Sequence, residues 1–329
     1  MAREFSLIQL EFRDIYLAQR RIQGIVRRTP LEDSPFFSDA GGGEVYLKLE
    51  NLQLTGSFKI RGALNKMLQL SPEERRRGIV TASAGNHAQG IGYGAKMLGI
   101  EATIVVPRNT PKTKIEAIRR YGVDLIIHGE NYDEAEKKAR ELEREQSKVY
   151  VSPYNDYDII AGQGTVGLEM WEEKNDLEVV LVPVGGGGLI SGVALALKSL
   201  NPDIEVIGVQ SKASPVMYES IKQGRIVEVP MKESIAEGLH GGIEKDSVTF
   251  DLVKELVDDI ILVEEEDIGN AIALLLEHHH QVAEGAGAVG LAALMRGEKR
   301  FAGRRIGVVI SGGNIDISLI KKILKSTKT

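Results

Sequence analysis

The sequence predicts an α/β protein of two lobes, with mostly parallel twisted sheets flanked by helices and a smaller lobe inserted in the larger. Two observations carry this. Short β-branched runs alternate with helical periodicity along almost the whole chain, as right-handed βαβ crossovers require. Three of those runs also end in polar, glycine-bearing loops that open helices, the arrangement that puts ligands beyond the carboxyl ends of parallel strands. The length of 329 residues suits two domains, or one large one.

Taken in order, residues Met1–Arg20 mix Arg, Glu and Asp with apolar residues and read as an amphipathic helix, not a signal peptide. Strands are expected at Glu44–Leu49, Gly78–Ala82, Ala102–Val106, Val123–Ile127 and Lys148–Val151. Further strands are expected at Val179–Val184, Glu205–Val209, Ile260–Val263 and Arg305–Ile310. Helical periodicity is clearest in Asn131–Gln146, Ile159–Lys174, Leu189–Leu200, Ile268–His280 and Glu284–Met295. Breaks at Ser71-Pro72 and Ser152-Pro153 divide the chain into a large lobe, 1–70 with 154–329, and a small lobe, 71–153.

Composition removes several function classes. Hydrophobic residues at 43% and charged residues at 27% are ordinary for a soluble protein. The net charge of −6, with both signs interleaved, supplies no basic stripe for nucleic acid. No stretch reaches the roughly 20 apolar residues that span a bilayer. The chain has no cysteine, which excludes disulfides, thiolate metal sites and a cysteine nucleophile. A cytoplasmic enzyme or binding protein is the expectation.

The chemistry starts at Lys59, in Gln53-Leu-Thr-Gly-Ser-Phe-Lys-Ile-Arg-Gly-Ala63. Most other lysines and arginines stand in mixed-charge stretches such as Glu73–Arg77 and read as solvated faces; Lys59 stands among small and apolar neighbours. Low-dielectric surroundings penalise an ammonium and make its amine a nucleophile or base. Lysines that snorkel their charge outward are commoner, so the assignment depends on what lies downstream. There, the strand ending at Val184 runs directly into Gly185-Gly-Gly-Gly188 and an apolar helix. Such a turn aims successive N–H groups and a helix N-terminus at one point, which is a phosphate cradle. It lacks the Lys-Ser/Thr ending of a nucleotide loop and dinucleotide spacing, which favours a single phosphate. Ser311-Gly-Gly-Asn314 and Ser83-Ala-Gly-Asn-His87 end two more strands.

A lysine amine, a monophosphate cradle and a neutral hydroxyl together suggest pyridoxal 5'-phosphate. The chain resembles the tryptophan-synthase-like (fold type II) pyridoxal-phosphate enzymes, and within them the threonine/serine dehydratases and the related serine racemases. Thr29-Pro-Leu31, Gly56–Gly62, Ser83–His87, Ala161-Gly-Gln-Gly-Thr165, Gly185–Gly188, Ala236-Glu-Gly238, Glu284-Gly-Ala-Gly287 and Ser311–Asn314 carry the resemblance, in order along nearly the whole chain. It implies that Lys59 holds the cofactor as a Schiff base and takes the substrate α-proton. Phe58 would pack on the pyridine ring, Asn86 bond its 3-oxygen, Gly185, Gly186, Gly187 and Gly188 hold the phosphate, and Ser311 meet the ring nitrogen. Ser83 and the N–H groups of Gly85, Asn86 and His87 would grip the substrate carboxylate, with Gly238 and Glu284 at the ring's other edge.

The implied reaction is α,β-elimination of threonine or serine to a 2-oxo acid and ammonia, and the resemblance implies a homodimer or homotetramer.

Racemisation would need a proton donor on the face of the α-carbon opposite Lys59. The racemases place a serine hydroxyl there, in the second position of the Ser-Ser-Gly-Asn-His loop, where this chain has Ala84. Dehydration is therefore favoured; a serine racemase or a pyridoxal-phosphate-binding protein without turnover are the alternatives. The racemases' carboxylate for a divalent ion is matched here by Gln210, so no metal site is carried over. The chain ends soon after Asn314, as expected of a short form without an appended regulatory domain. Among the remaining features, His278-His279-His280 point in three directions on a helix and read as a solvated or subunit-contacting helix end. Glu264-Glu-Glu-Asp267 suits a helix N-terminal dipole and is given no chemistry. His87 is expected to position and not to act as a base.

Overall fold

The computed structural model describes residues 9–326. Ten strands are formed among them: β1 (Leu31–Asp33), β2 (Glu44–Leu49), β3 (Ile79–Ala82), β4 (Ala102–Val106), β5 (Asp124–Ile127), β6 (Val149–Tyr150), β7 (Val179–Pro183), β8 (Glu205–Ser211), β9 (Asp259–Val263) and β10 (Arg305–Ile310). They build two sheets. One has six strands in the order β1-β2-β10-β7-β8-β9, and the other has four in the order β5-β4-β3-β6. Every pairing is parallel except that of β1 with β2. All residues of β3, β4 and β7 are buried, as strands covered by helices on both faces must be.

Nine of these strands match the β-branched runs of the sequence to within a few residues. β1 does not. Its Leu-Glu-Asp is short and mostly exposed, so neither apolar alternation nor a buried run marks it. The first helix is Phe12–Ile22, with the side chains of Glu11 and Asp14 forming a capping box. The expected start at Met1 lies partly outside the described residues, and residues 9–11 precede the helix.

Close helix packing explains the motif Ala161–Thr165. The helices Lys59–Leu68, Tyr157–Glu173 and Gly188–Leu200 cross with almost no gap. A Cβ on Gly162 would lie 2.5 Å from the Cα of Gly62. Larger residues there would push the lysine-bearing helix off its neighbour.

Under that helix lies a buried ionic network that the sequence reading did not single out. Arg61 and Lys48 are fully buried. The Arg61 guanidinium donates to Glu50 Oε2 at 2.8 Å and to Glu169 Oε1 at 2.7 Å, and Lys48 Nζ donates to Glu169 Oε2 at 2.8 Å. Burial opposes the charge on Arg61, but its two carboxylates outweigh burial and hold its pKa above the ordinary value. Among the described residues, no helix is long and apolar enough to cross a membrane.

Candidate active site

Lys59 opens the helix Lys59–Leu68, and its Nζ donates to the carbonyl of Pro153 at 2.7 Å. The ammonium stands 5.2 Å from the centroid of the Phe58 ring. Burial lowers its pKa to about 8, against a weaker opposing pull from Glu284. The lysine is thus turned inward, not snorkelled.

The segment that receives Lys59 also packs on the tetraglycine turn. Tyr154 follows Pro153, and a Cβ on Gly186 would lie 2.5 Å from its ring. Cβ atoms on Gly185 and Gly188 would come within 3.0 Å of Leu239 Cα and Tyr154 Cα. Gly187 has φ +87° and caps the following helix, and the Gly186 carbonyl accepts from Thr249 Oγ1 at 2.6 Å. Backbone N–H groups at this helix start therefore stay free of side-chain bulk, which suits a phosphate.

The loop after β3 supplies the opposite wall. Asn86 Nδ2 donates to Glu284 Oε1 at 2.6 Å, and Asn86 Oδ1 accepts from Asn314 Nδ2 at 2.7 Å. These bonds tie the loop after β3 to the loop after β10, through Asn314, and to the start of the helix Gly285–Leu294, through Glu284. Burial pushes the Glu284 carboxyl up to about 7, against the Asn86 hydrogen bond and the nearby charge of Lys114. Gly238 faces this carboxyl: its Cβ would lie 3.8 Å from Glu284 Oε1. Ser83 Oγ accepts from the N–H groups of Gly85 and Ala88, both at 3.3 Å, and so shapes the helix start at Asn86.

His87 is buried and shares a 3.1 Å contact between Nε2 and the carbonyl of Val151. That carbonyl requires the proton on Nε2. Burial, aided by the charge of Lys59, lowers the His87 pKa to about 3, so the ring is neutral. Ser311 is buried, and its Oγ makes only a long 3.4 Å contact with the Ala286 carbonyl, while its own carbonyl accepts from Phe58 N–H at 3.1 Å.

These residues fit pyridoxal phosphate. The amine of lowered pKa would suit its aldehyde, the side-chain-free helix start its phosphate, and the weakly bonded Ser311 hydroxyl its ring nitrogen.

Several contributors were not read from the sequence. Pro153 was read only as part of the Ser152-Pro153 break, and Tyr154 and Thr249 had no motif to mark them. The acidic run was read as dipole matching alone, yet Glu265 does more: it accepts from Ser234 Oγ at 2.8 Å and from Ile235 N–H at 2.6 Å, pinning the segment that leads to Gly238. The histidine run ends its helix with His278 and His280 exposed, as expected, and two of its rings also find partners. His278 stacks on Phe36 at 3.6 Å and His279 Nε2 lies 2.6 Å from Ser34 Oγ, so both dock on a helix of the same chain. Gln210 Oε1 accepts from Tyr218 N–H at 3.0 Å, a structural use.

The sequence pattern of the family described as "Pyridoxal-phosphate dependent enzyme" matches residues 22–312. L-threonine ammonia-lyase of Thermotoga maritima is 50% identical, over 97% of this chain and 78% of that protein. The catabolic L-threonine dehydratase of Escherichia coli strain K12 is 43% identical, over 94% of each. Among solved structures, maize serine racemase superposes with a TM-score of 0.91 at 35% identity, covering 97% of this chain and 98% of that one. A match this long, over the same loops that surround Lys59, means that the chain belongs to the pyridoxal-phosphate dependent enzyme family.

Proposed function

We propose that the protein is a threonine and serine ammonia-lyase, converting L-threonine to 2-oxobutanoate and ammonia. The observation that carries this is Lys59, inward-facing with a pKa of about 8, bonded to the segment that packs on Gly186. Relatives named for threonine deamination support the substrate class.

When bound, the cofactor supplies an electron sink conjugated to the substrate α-carbon. The chain's own residues do the rest. Ser83 and the N–H groups of Gly85, Asn86 and His87, at a helix N-terminus, hold the substrate carboxylate. Lys59 Nζ, released from Pro153, takes the α-proton; its lowered pKa leaves an appreciable neutral fraction near neutrality. The elimination balances as loss of the α-hydrogen and the β-hydroxyl together as one water, and hydrolysis of the resulting enamine frees ammonia. Ser311 is neutral, so it does not force a proton onto the ring nitrogen, which favours prompt loss of the hydroxyl. Gly185–Gly188 anchor the phosphate and Phe58 packs the ring.

The likeness to a serine racemase favours a second reading. Ala84 argues against it, because its methyl group has no proton to deliver to the face opposite Lys59. A lobe division at 1–70 with 154–329 and 71–153 belongs to the same proposal; the strands of the four-stranded sheet all fall between residues 79 and 150. So does a cytoplasmic homodimer or homotetramer, whose assembly sedimentation velocity would measure.

The test is an amino-acid panel assayed for 2-oxo acid, with chiral analysis of serine incubations. We expect 2-oxobutanoate from L-threonine and negligible D-serine. No keto acid above background would defeat the proposal, and substantial D-serine would favour the racemase.

A further inference from the structure

Asn86 can meet a ring oxygen as a donor only if its amide points the right way round, and an amide is nearly symmetric in shape. The structure contains a device that decides this. Asn314 Nδ2 donates to the backbone carbonyl of Thr55 at 2.8 Å. A backbone carbonyl can only accept, so the nitrogen of Asn314 must lie on that side. The same nitrogen faces the Asn86 side chain at 2.7 Å, which obliges Asn86 to present its oxygen there. Its NH2 group is then directed to Glu284 and the interior of the site. The other end of the chain cannot set this polarity. A carboxyl group accepts when ionised and donates when protonated, and Glu284, pushed up to about 7, is present in both forms near neutrality.

We propose that Asn314 is a positioning residue: it copies the fixed polarity of the Thr55 carbonyl onto Asn86 and so turns the Asn86 NH2 group toward the cofactor. Asn314 is well seated for the task. Gly313 N–H donates to the Gly56 carbonyl at 2.8 Å, and Gly56, at φ +71°, leaves its Cα face open to the Asn314 amide. A Cβ on Gly56 would lie 2.5 Å from Asn314 Oδ1. The inference rests on the reading that the cofactor lies between Lys59 and the tetraglycine turn.

The experiment is a double-mutant cycle on pyridoxal phosphate binding, with Kd read from visible absorbance as cofactor is titrated into protein. The four proteins are wild type, Asn314→Ala, Asn86→Ala and the double variant. Asn314→Leu, of similar volume, is titrated alongside. Asn314 is exposed, so its truncation leaves no core cavity, and thermal midpoints check that each variant folds. We expect Asn314→Ala and Asn314→Leu each to weaken binding roughly three- to tenfold, the size of one net hydrogen bond. The double variant should bind as Asn86→Ala does, because Asn314 acts only through that amide. Wild-type affinity in both folded Asn314 variants would overturn the inference and leave the proposed function standing. So would a double variant whose loss is the product of the two single losses. A wild-type protein that binds no cofactor would overturn both.

Discussion

Lys59 and Arg61 stand two residues apart on one helix and are treated in opposite ways. Arg61 is buried against Glu50 and Glu169, which hold its charge firmly. Lys59 is also turned inward, but its nearest partner is the neutral carbonyl of Pro153, and burial brings its pKa down to about 8. Burial alone therefore does not make a cation reactive; burial without a carboxylate in contact does. The saturated cation fixes the helix, and the unsaturated one is left to react.

The largest effect expected from breaking this contrast is chemical. Lys59→Ala should lower 2-oxobutanoate formation by about 10²–10⁴-fold, the usual range for loss of a proton-transfer group, as steady-state assays would measure. Arg61→Met should instead act on stability. It strips buried Glu50 of its cation and leaves Glu169 with Lys48 alone, and loss of one partner of such a network costs about 3–5 kcal/mol, measurable by urea unfolding. A fall in activity without a fall in stability would erase the distinction between the two residues.

Gly186→Ala tests the link between Lys59 and the turn. Its Cβ would meet the Tyr154 ring at 2.5 Å. Overpacking of this kind costs about 1–3 kcal/mol, and calorimetry should show a lower melting temperature together with weaker cofactor retention.

The cofactor-free protein should show the Lys59 asymmetry in its pH dependence. Between pH 8 and the ordinary lysine value of 10.5, the unfolded chain binds more protons at this residue than the folded one. The Lys59 contribution to stability therefore rises with pH across that window and is unfavourable below it. Denaturant unfolding should show that the stability difference between Lys59→Met and wild type shrinks as pH rises from 8 to 10.5. A constant difference would mean that the lysine is not desolvated.

The smallest effect belongs to Lys114, a half-buried cation whose partner is the exposed Glu237. A double-mutant cycle should give a coupling below about 1 kcal/mol that fades with added salt.

How much of this was legible in the sequence follows from the same contrast. Nine strands were readable because parallel strands buried on both faces must be runs of apolar and β-branched residues, and β1 escaped because an exposed edge has no such requirement. Lys59, Asn86, Ser311 and the tetraglycine turn lie in short local motifs. The pairings between them and their partners are not local. Pro153 meets Lys59 across 94 residues, Asn314 meets Asn86 across 228, and Glu169 meets Arg61 across 108. Those pairings are set by which loops the two sheets bring together, and no local pattern records them. Arg61 was passed over for that reason: Glu169 lies 108 residues away, so nothing local marks it as the centre of a buried network.

The most direct test of the account is chemical fixation. The protein, loaded with pyridoxal phosphate, is reduced with borohydride, digested and mapped by mass spectrometry. The account predicts one stoichiometric pyridoxyl-phosphate group, carried on the Nζ of Lys59; a group fixed on another lysine, or none at all, would contradict it.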